Sequence, residues 1–288
     1  MAPNEPLGTL TAMDGATIPY LAWGDDRSQH AIVLLHGAGP YSRIYERLAL
    51  ALAERGIATL AYDQRGFGAT SGPRGHSPHF AFYLDDCAIA LSAAAARWPF
   101  ASVSLVGHAF GGLVATRYCL ERASRRGPAP SSLVLLAPWI RDRLPVKKRT
   151  IAEGVIRAVT APTHTYPVPI SLWETCDPQN VDAVAAAEAD PLFVREVSGR
   201  WWVGSTRAKI GIIRKARNLT LPVLQIEGTE DVVIDGDTNR RLFLNIGSEH
   251  KRLVVLPGFF HDFELQRDLD PLVTAIGLFL TGDVVAVA

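Results

Sequence analysis

The sequence predicts an α/β protein with a mostly parallel sheet, helices on both of its faces and an inserted cap. Short apolar runs, typical of strands buried on both faces, alternate with segments of helical spacing in units of about 25–35 residues. The alternation stops at Pro138 and resumes near residue 218. We therefore expect residues 1–137 and 218–288 to form the core and residues 138–217 to form the cap.

Composition narrows the classes of function. The 288 residues carry 29 basic and 29 acidic side chains, whereas a nucleic-acid-binding protein is usually clearly basic. The first ten residues lack the regions of a signal peptide, and no apolar run is long enough for a transmembrane helix. Three cysteines without a CxxC pair fit a reducing compartment. We expect a cytoplasmic protein with no nucleic-acid partner and no stable membrane insertion.

The first half of the chain supplies most of the predicted sheet. Asp14-Gly15 joins two strand-like runs, Thr9–Met13 and Thr17–Ala22, and this dipeptide is typical of a hairpin. Four apolar runs then predict buried strands: Ala31–Leu35, Ile57–Tyr62, Val103–Val106 and Leu133–Leu136. Helical spacing between them predicts three helices: Ile44–Arg55, Phe80–Trp98 and Leu113–Ala123.

The second half contains the interruption and the return to alternation. Residues 138–217 hold scattered prolines and four tryptophans and show no clear buried strand. The pattern then predicts two strands, Val223–Ile226 and Leu253–Leu256, and two helices, Thr238–Asn245 and a terminal helix that begins near Pro271.

The segment Gly107-His108-Ala109-Phe110-Gly111-Gly112 lies between a predicted strand and a predicted helix. A sharp strand-to-helix turn holds its middle residue in a strained conformation, so its neighbours must be small. This is the framework of a G-x-S-x-G nucleophile elbow. The nucleophile position is Ala109, whose methyl group cannot attack a carbonyl.

A second glycine-rich turn, His36-Gly37-Ala38-Gly39, follows the first buried strand. Hydrolases with such an elbow take one oxyanion-binding N–H from this loop and another from the residue after the nucleophile. The candidate oxyanion hole is therefore the backbone amides of Ala38 and Phe110. We expect His36 to support the loop.

Two further residues follow late strands in the chain order nucleophile, acid, histidine. Asp231 comes after Val223–Ile226, and His261 comes after Leu253–Leu256. Asp231 is the preferred acid, but spacing leaves Glu230, Asp235 and Asp237 open as alternatives. His261 would act as the base, and Asp231 would fix its tautomer.

These motifs together resemble the α/β-hydrolase superfamily, and most closely its monoacylglycerol lipase and serine aminopeptidase branch. The likeness rests on HGAG, YDQRGFGATSG, GHAFGG, GTEDVV and PGFFHDFELQ, and it covers the core from Ile32 to Glu264. It implies an α/β-hydrolase fold with Asp231 and His261 as triad acid and base. It also implies a serine hydrolase that cleaves a carboxylic ester of a hydrophobic small molecule through an acyl-enzyme.

Ala109 falls on the serine of that branch. One explanation is an engineered serine-to-alanine substitution that traps substrate, which the intact acid, base, loop and glycines favour. The other is a natural pseudoenzyme that keeps the pocket as a non-catalytic small-molecule binder. On either explanation we expect the chain to be nearly inactive. A lactonase, an amidase or a carbamate hydrolase with the same triad is the alternative within enzymes.

The residues of the predicted cap give the sequence-based indication of the substrate class. Trp173, Trp201 and Trp202 could form an apolar roof over the elbow, or could instead pack the cap onto the core. We take them as candidate substrate-binding residues together with His36, Gly37 and His108. The expected partner is a hydrophobic small-molecule ester.

No cofactor and no metal are expected. Gly37-x-Gly39-x-x-Ser42 with Asp63 partly imitates a dinucleotide-binding fingerprint, but its third glycine is missing and it leaves Asp231 and His261 unexplained. The close pair His76 and His79 has no third ligand.

Overall fold

The computed structural model describes residues 8–125, 127–143, 148–168 and 171–282. Its main sheet has eight strands in the order β1-β2-β4-β3-β5-β6-β9-β10. Their bounds are β1 Gly8–Thr11, β2 Thr17–Trp23, β3 His30–Leu35, β4 Ile57–Tyr62, β5 Ser102–His108, β6 Leu133–Leu136, β9 Val223–Gly228 and β10 Lys251–Leu256. All pairs from β4 to β10 are parallel, and β1–β2 and β2–β4 are antiparallel. The predicted fold class is confirmed.

Two hydrophobic clusters lie on opposite faces of this sheet. Helices α1 (Glu46–Ala53) and α10 (Asp270–Thr281) cover one face, with Leu48, Leu52 and Ile276 buried there. Helices α2 (Ala81–Arg97), α3 (Phe110–Arg125) and α9 (Gly236–Asn245) cover the other. Because both faces are covered, the central strands are buried throughout and read as continuous apolar runs.

The segment between β6 and β9 contributes no strand to the main sheet within the described residues. We call residues 138–217 the insert. It contains a two-stranded antiparallel sheet that the sequence did not predict, β7 (Thr165–Pro167) and β8 (Glu196–Ser198). Its helices are α4 (Lys148–Thr160), α5 (Leu172–Thr175), α6 (Val181–Ala189), α7 (Gly199–Lys209) and α8 (Ile212–Lys215). Helices α7 and α8 bury Trp201, Ala208 and Ile212 in the cluster that includes α2 and α3.

The parallel strands bring four separated segments to one edge of the sheet. The carboxyl ends of β3, β5, β9 and β10 lead into His36, Ala109, Asp231 and the loop of His261. In open parallel sheets this edge is where ligand sites form. Among the helices that the structure describes, none is long and apolar enough to cross a bilayer.

Candidate functional site

Ala109 occupies a sharp turn between β5 and α3. Its φ is +47°, a left-handed value that alanine adopts rarely. Its N–H donates to the Leu136 carbonyl at 2.9 Å, and its carbonyl accepts from the Leu113 N–H at 3.1 Å. A Cβ built on Gly111 would overlap the carbonyl oxygen of Leu35, so α3 can approach β3 only because residue 111 is glycine. The turn therefore has the strained geometry of a nucleophile elbow, with a methyl group at its tip.

Asp231 and His261 form a buried hydrogen-bonded pair. His261 Nδ1 lies 2.8 Å from Asp231 Oδ2. Asp231 Oδ1 accepts from the N–H groups of Val233 and Ile234 at 2.8 and 3.0 Å, which fixes the carboxylate. When the ring is neutral, Nδ1 carries the proton that it donates to Asp231, and Nε2 carries the lone pair. No described residue forms a hydrogen bond with Nε2.

The three alternative acids lie elsewhere. Asp235 accepts from the Thr238 N–H at 2.8 Å and is the N-cap of α9. Glu230 accepts from the Thr229 hydroxyl at 3.0 Å, and Asp237 lies in the first turn of α9. Of the four candidates, Asp231 is the one that the turn after β9 brings to His261.

The charges of the pair stabilise each other. Burial disfavours the protonated form of His261, but the charge and hydrogen bond of Asp231 prevail and raise its pKa to about 9. Burial would raise the pKa of Asp231, but His261 and the two backbone amides hold it below its usual value. Both effects favour an imidazolium–carboxylate pair, the state that forms when His261 accepts a proton.

The amides of Ala38 and Phe110 are available as hydrogen-bond donors. Neither N–H donates to another residue within the described part of the chain. Phe110 is the first residue of α3, where an N–H has no partner in its own helix. The Ala38 loop is held beside it, because the Gly111 N–H donates to the His36 carbonyl at 3.1 Å. Two such amides can receive the negative oxygen of a tetrahedral intermediate.

His36 and Gly37 are occupied by contacts within the protein. His36 Nδ1 donates to the Gly37 carbonyl at 2.7 Å, and Nε2 accepts from the Gln64 N–H at 2.8 Å. Burial lowers the pKa of His36 to about 4, so the ring is neutral. The Gly37 N–H donates to the Tyr45 hydroxyl at 3.1 Å. The side chain of His36 therefore supports the loop, as the sequence suggests.

His108 joins the elbow to the histidine loop. Its Nε2 lies 2.8 Å from the His261 carbonyl oxygen, and its Nδ1 lies 2.6 Å from the Tyr45 hydroxyl. Burial, with the nearby His261 charge, lowers the pKa of His108 to about 3. A neutral ring that donates from Nε2 and accepts at Nδ1 satisfies both contacts. Both of its nitrogens have protein partners, although His108 was predicted as a substrate-binding residue.

A group of buried acids surrounds these rings, and the sequence did not predict it. Glu264 Oε2 lies 3.4 Å from His108 Nδ1, and burial raises the pKa of Glu264 to about 8. Asp262 accepts hydrogen bonds from the Thr175 hydroxyl and the Cys176 thiol of the insert. The motif PGFFHDFELQ, on which the family resemblance partly rests, contains both Asp262 and Glu264. Nothing in the motif indicated that these two acids are buried.

The three predicted tryptophans occupy different environments. Trp201 is 4% exposed, and its ring lies 4.9 Å from Phe110 and is stacked on Trp139 at 5.7 Å. Trp202 is partly buried and contacts α4 near Gly154. Trp173 is 44% exposed and donates to Glu188 at 2.8 Å. The structure thus brings Trp201 to the elbow and packs it as part of the junction between insert and core.

The sheet order, the positive-φ turn after β5 and the acid–histidine pair after β9 and β10 define an α/β-hydrolase. The family model described as serine aminopeptidase, S33, matches residues 26–268. The chain belongs to this family.

Individual relatives agree with that assignment. The chain is 26% identical over 260 residues to a monoacylglycerol lipase of Mycolicibacterium smegmatis, covering 88% of this chain and 89% of the relative. It is 27% identical over 241 residues to a phospholipase of Bacillus subtilis, covering 83% and 90%. A crystal structure of a soluble variant of monoglyceride lipase from Saccharomyces cerevisiae, in complex with a substrate analog, superposes with a TM-score of 0.83 at 20% identity, covering 97% of this chain and 96% of that one.

Proposed function

We propose that the site is that of a carboxylic ester hydrolase for hydrophobic small molecules, similar to monoacylglycerol lipases, with alanine at the nucleophile position. The observation that carries the proposal is the 2.8 Å His261–Asp231 hydrogen bond, which leaves Nε2 as the proton acceptor at the same sheet edge as the strained residue 109. Relatives that are named as lipases and a phospholipase support a lipid-like ester.

The mechanism follows from these groups once a serine stands at position 109. Nε2 of the neutral His261 ring takes the proton of the serine hydroxyl while the hydroxyl oxygen attacks the ester carbonyl. The amides of Ala38 and Phe110 hold the negative oxygen of the tetrahedral intermediate. The intermediate collapses, the alcohol leaves with the proton from His261, and an acyl-enzyme remains. Water then repeats the sequence and releases the acid.

With Ala109 the first step has no attacking oxygen. Loss of a serine nucleophile from such a triad lowers turnover by about a million-fold, while substrate binding and the oxyanion hole remain. In this proposal the present chain therefore binds ester and turns it over very slowly. That holds whether the alanine was introduced by substitution or is the natural residue.

The division into core and cap belongs to the same proposal. Residues 1–137 and 218–288 would be the catalytic core, and residues 138–217 the cap. The contacts of Trp201 with Phe110, and of Thr175 and Cys176 with Asp262, support a cap seated beside the elbow and the histidine loop.

We also propose a cytoplasmic location. Cys87, Cys119 and Cys176 are all free and buried, which suits a reducing compartment.

The direct test is the Ala109→Ser variant. We expect it to hydrolyse at least one of a panel of short- and medium-chain aryl esters, monoacylglycerols, lactones and aryl amides at least about a thousandfold faster than the present chain. The panel also separates an esterase from a lactonase or an amidase.

Ala137→Ser is the matched control. Ala137 is the other non-glycine residue with positive φ in the described chain, and it is buried at the end of the neighbouring strand β6. A serine there adds the same hydroxyl outside the turn between β5 and α3, and we expect no gain in rate. If Ala109→Ser stays inactive while both chains bind hydrophobic ligands, a non-catalytic binder replaces the proposed hydrolase. The observation that favours a non-catalytic binder is Ala109, because its methyl group cannot act as a nucleophile.

A further inference from the structure

The loop that carries the Ala38 amide is anchored to the core at both ends. At its start, the His36 carbonyl accepts from Gln64 Nε2 at 2.6 Å and from the Gly111 N–H at 3.1 Å. At its end, the N–H and hydroxyl of Ser42 donate to Asp63 Oδ1 at 3.0 and 2.6 Å. The residues between these anchors, 38–41, need other contacts to fix them.

Those contacts come from the insert. The Val194 N–H donates to the Gly39 carbonyl at 2.9 Å. The buried Tyr41 hydroxyl donates to Asp190 Oδ2 at 2.7 Å. The Phe193 ring lies against Gly39, where an added Cβ would come within 2.9 Å of it. We call residues 190–194 the clamp segment.

The clamp segment is in turn held from the core. Asp190 Oδ1 accepts from the Leu192 N–H at 2.7 Å, which folds the segment on itself. Arg74, in the loop after β4, donates to the Leu192 carbonyl at 2.7 Å and to the Pro191 carbonyl at 3.3 Å. The same guanidinium donates to the Gly68 carbonyl at 2.7 Å. A path of direct contacts therefore runs from Arg74 through the clamp segment to the loop of Ala38.

We propose that the clamp segment positions the Ala38 amide, so that the oxyanion hole is complete only while the insert is seated on the core. Tyr41 and Asp190 are then positioning residues. The proposal rests on the proposed function, since the position of this amide affects a rate only if it receives an oxyanion. An oxyanion donor acts at about 2.7–3.1 Å from the developing charge, and a displacement of about 1 Å can cost a hundredfold in rate.

Hydrogen exchange tests the positioning on the chain as it stands, with Ala109 in place. Tyr41→Phe removes one hydroxyl and its hydrogen bond to Asp190 without changing the ring. Arg74→Met frees the carbonyls of the clamp segment, and the hydrogen bonds that Arg74 makes within the described chain go to residues 68, 191 and 192 rather than to residues 36–41. Because one hydrogen bond contributes about 1 kcal/mol, a factor of about five in an equilibrium constant, we expect both variants to speed exchange at least about fivefold in peptides that cover residues 36–41 and 190–194.

Tyr118→Phe is the matched control. Tyr118 is buried in α3, and its hydroxyl donates to the Pro128 carbonyl at 2.7 Å, so the same group and a bond of the same length are lost elsewhere. We expect no change in residues 36–41. Unchanged exchange there in Tyr41→Phe, or in Arg74→Met while residues 190–194 exchange faster, would overturn the proposal.

Kinetics in the Ala109→Ser background then test the consequence for the rate. We expect Tyr41→Phe to lower kcat about tenfold and to weaken a trifluoromethyl ketone transition-state analogue equally, with KM changed less than about twofold. Tyr118→Phe should change neither. An unchanged kcat in Tyr41→Phe would overturn the positioning role. An inactive Ala109→Ser variant would instead defeat the proposed function, and the exchange experiment would still decide whether the clamp holds the loop.

Discussion

At residue 109 the backbone is held at φ +47° although the side chain is a methyl group. A left-handed conformation costs an alanine about 1–2 kcal/mol. Residues around the turn impose it, because the Ala109 N–H and carbonyl are both bonded to neighbouring backbone and α3 approaches β3 through Gly111. The strained turn thus persists without the hydroxyl that it would expose in a serine hydrolase.

Mutation can test whether Asp231 is the triad acid. In the Ala109→Ser background, Asp231→Asn should lower kcat about ten-thousandfold, because an amide favours the wrong tautomer of His261 and cannot stabilise its charged form. Asp235→Asn is the control, since asparagine caps a helix as well as aspartate does. We expect it to retain activity within a few-fold. Steady-state hydrolysis of one aryl ester measures both, and the reverse order of effects would identify Asp235 as the acid.

Sequence spacing limited the candidates for the triad acid to a few neighbouring residues but could not identify which of them pairs with His261. Asp231, Asp235 and Asp237 all follow the same strand within a few residues. Which carboxylate faces His261 depends on a turn that is held by partners distant in sequence, since the Glu230 N–H donates to the Phe259 carbonyl and Arg143 donates to the Asp231 carbonyl. His108 was the opposite case. Its place beside the elbow suggested substrate contact, but its two ring nitrogens bind Tyr45 and the His261 carbonyl, and both partners are distant in sequence.

At the scale of elements, α3 begins at Phe110, whereas helical spacing predicted a start at Leu113. Gly111 and Gly112 have low helix propensity, so the pattern placed them in the turn. Tertiary packing nevertheless requires glycine at residues 107, 111 and 112, because Cβ atoms there would overlap backbone atoms of neighbouring segments. Residues 111 and 112 are therefore glycines inside the first turn of α3. The strands β7 and β8 were missed because three residues each are too few for a periodic signal.

Gly111→Ala tests that packing argument. We expect it to lower the free energy of unfolding by about 1–3 kcal/mol or to prevent folding, because the added methyl meets the Leu35 carbonyl. Gly236→Ala, in the first turn of α9, is the control, since nothing lies within 4 Å of its added Cβ. It should change stability by less than about 1 kcal/mol. Urea denaturation of the two variants measures the difference, and equal stabilities would refute the packing account.

At the scale of the whole molecule, the resemblance and the strand–helix alternation predicted the architecture, and the structure confirms it. The pairing order of the strands could not be read from the pattern, because neighbours such as β3 and β5 are joined only through contacts between distant segments. The same pairing brings the carboxyl ends of β3, β5, β9 and β10 to one edge of the sheet. Several buried ionisable groups lie there: His36, His108, His261 and Glu264.

Those groups make stability depend on pH. The pKa of His261 is raised to about 9, so its stabilising contribution is complete below about 6.5, the pKa in the unfolded chain, and is lost as the pH rises through 9. The pKa of Glu264 is raised to about 8 by burial, so the unfolded chain releases that proton first and the folded state loses stability from about pH 4.5 upward. His36 and His108, whose pKa values are lowered to about 4 and 3, act oppositely and destabilise the fold as the pH falls below 6.5.

We therefore expect the free energy of unfolding to decline from pH 6.5 to pH 8, above which Lys209, whose pKa burial lowers to about 8, acts in the opposite direction. Glu264→Gln keeps the shape of the neutral acid and removes its titration. The free energy of unfolding of this variant should therefore decline less steeply over the same pH range. Urea denaturation at several pH values measures both slopes. A stability that rises between pH 6.5 and 8 would contradict the assigned charge states.

Under the proposed function, this fold holds an acyl-transfer site that lacks one oxygen atom, at residue 109. The most direct measurement mixes the Ala109→Ser variant with an aryl ester in a stopped-flow instrument and records intact mass at the same times. We expect a stoichiometric burst of the aryl alcohol and a single acyl adduct in that variant, and neither in the present chain. Binding of the ester without burst or adduct in that variant would contradict the proposed function.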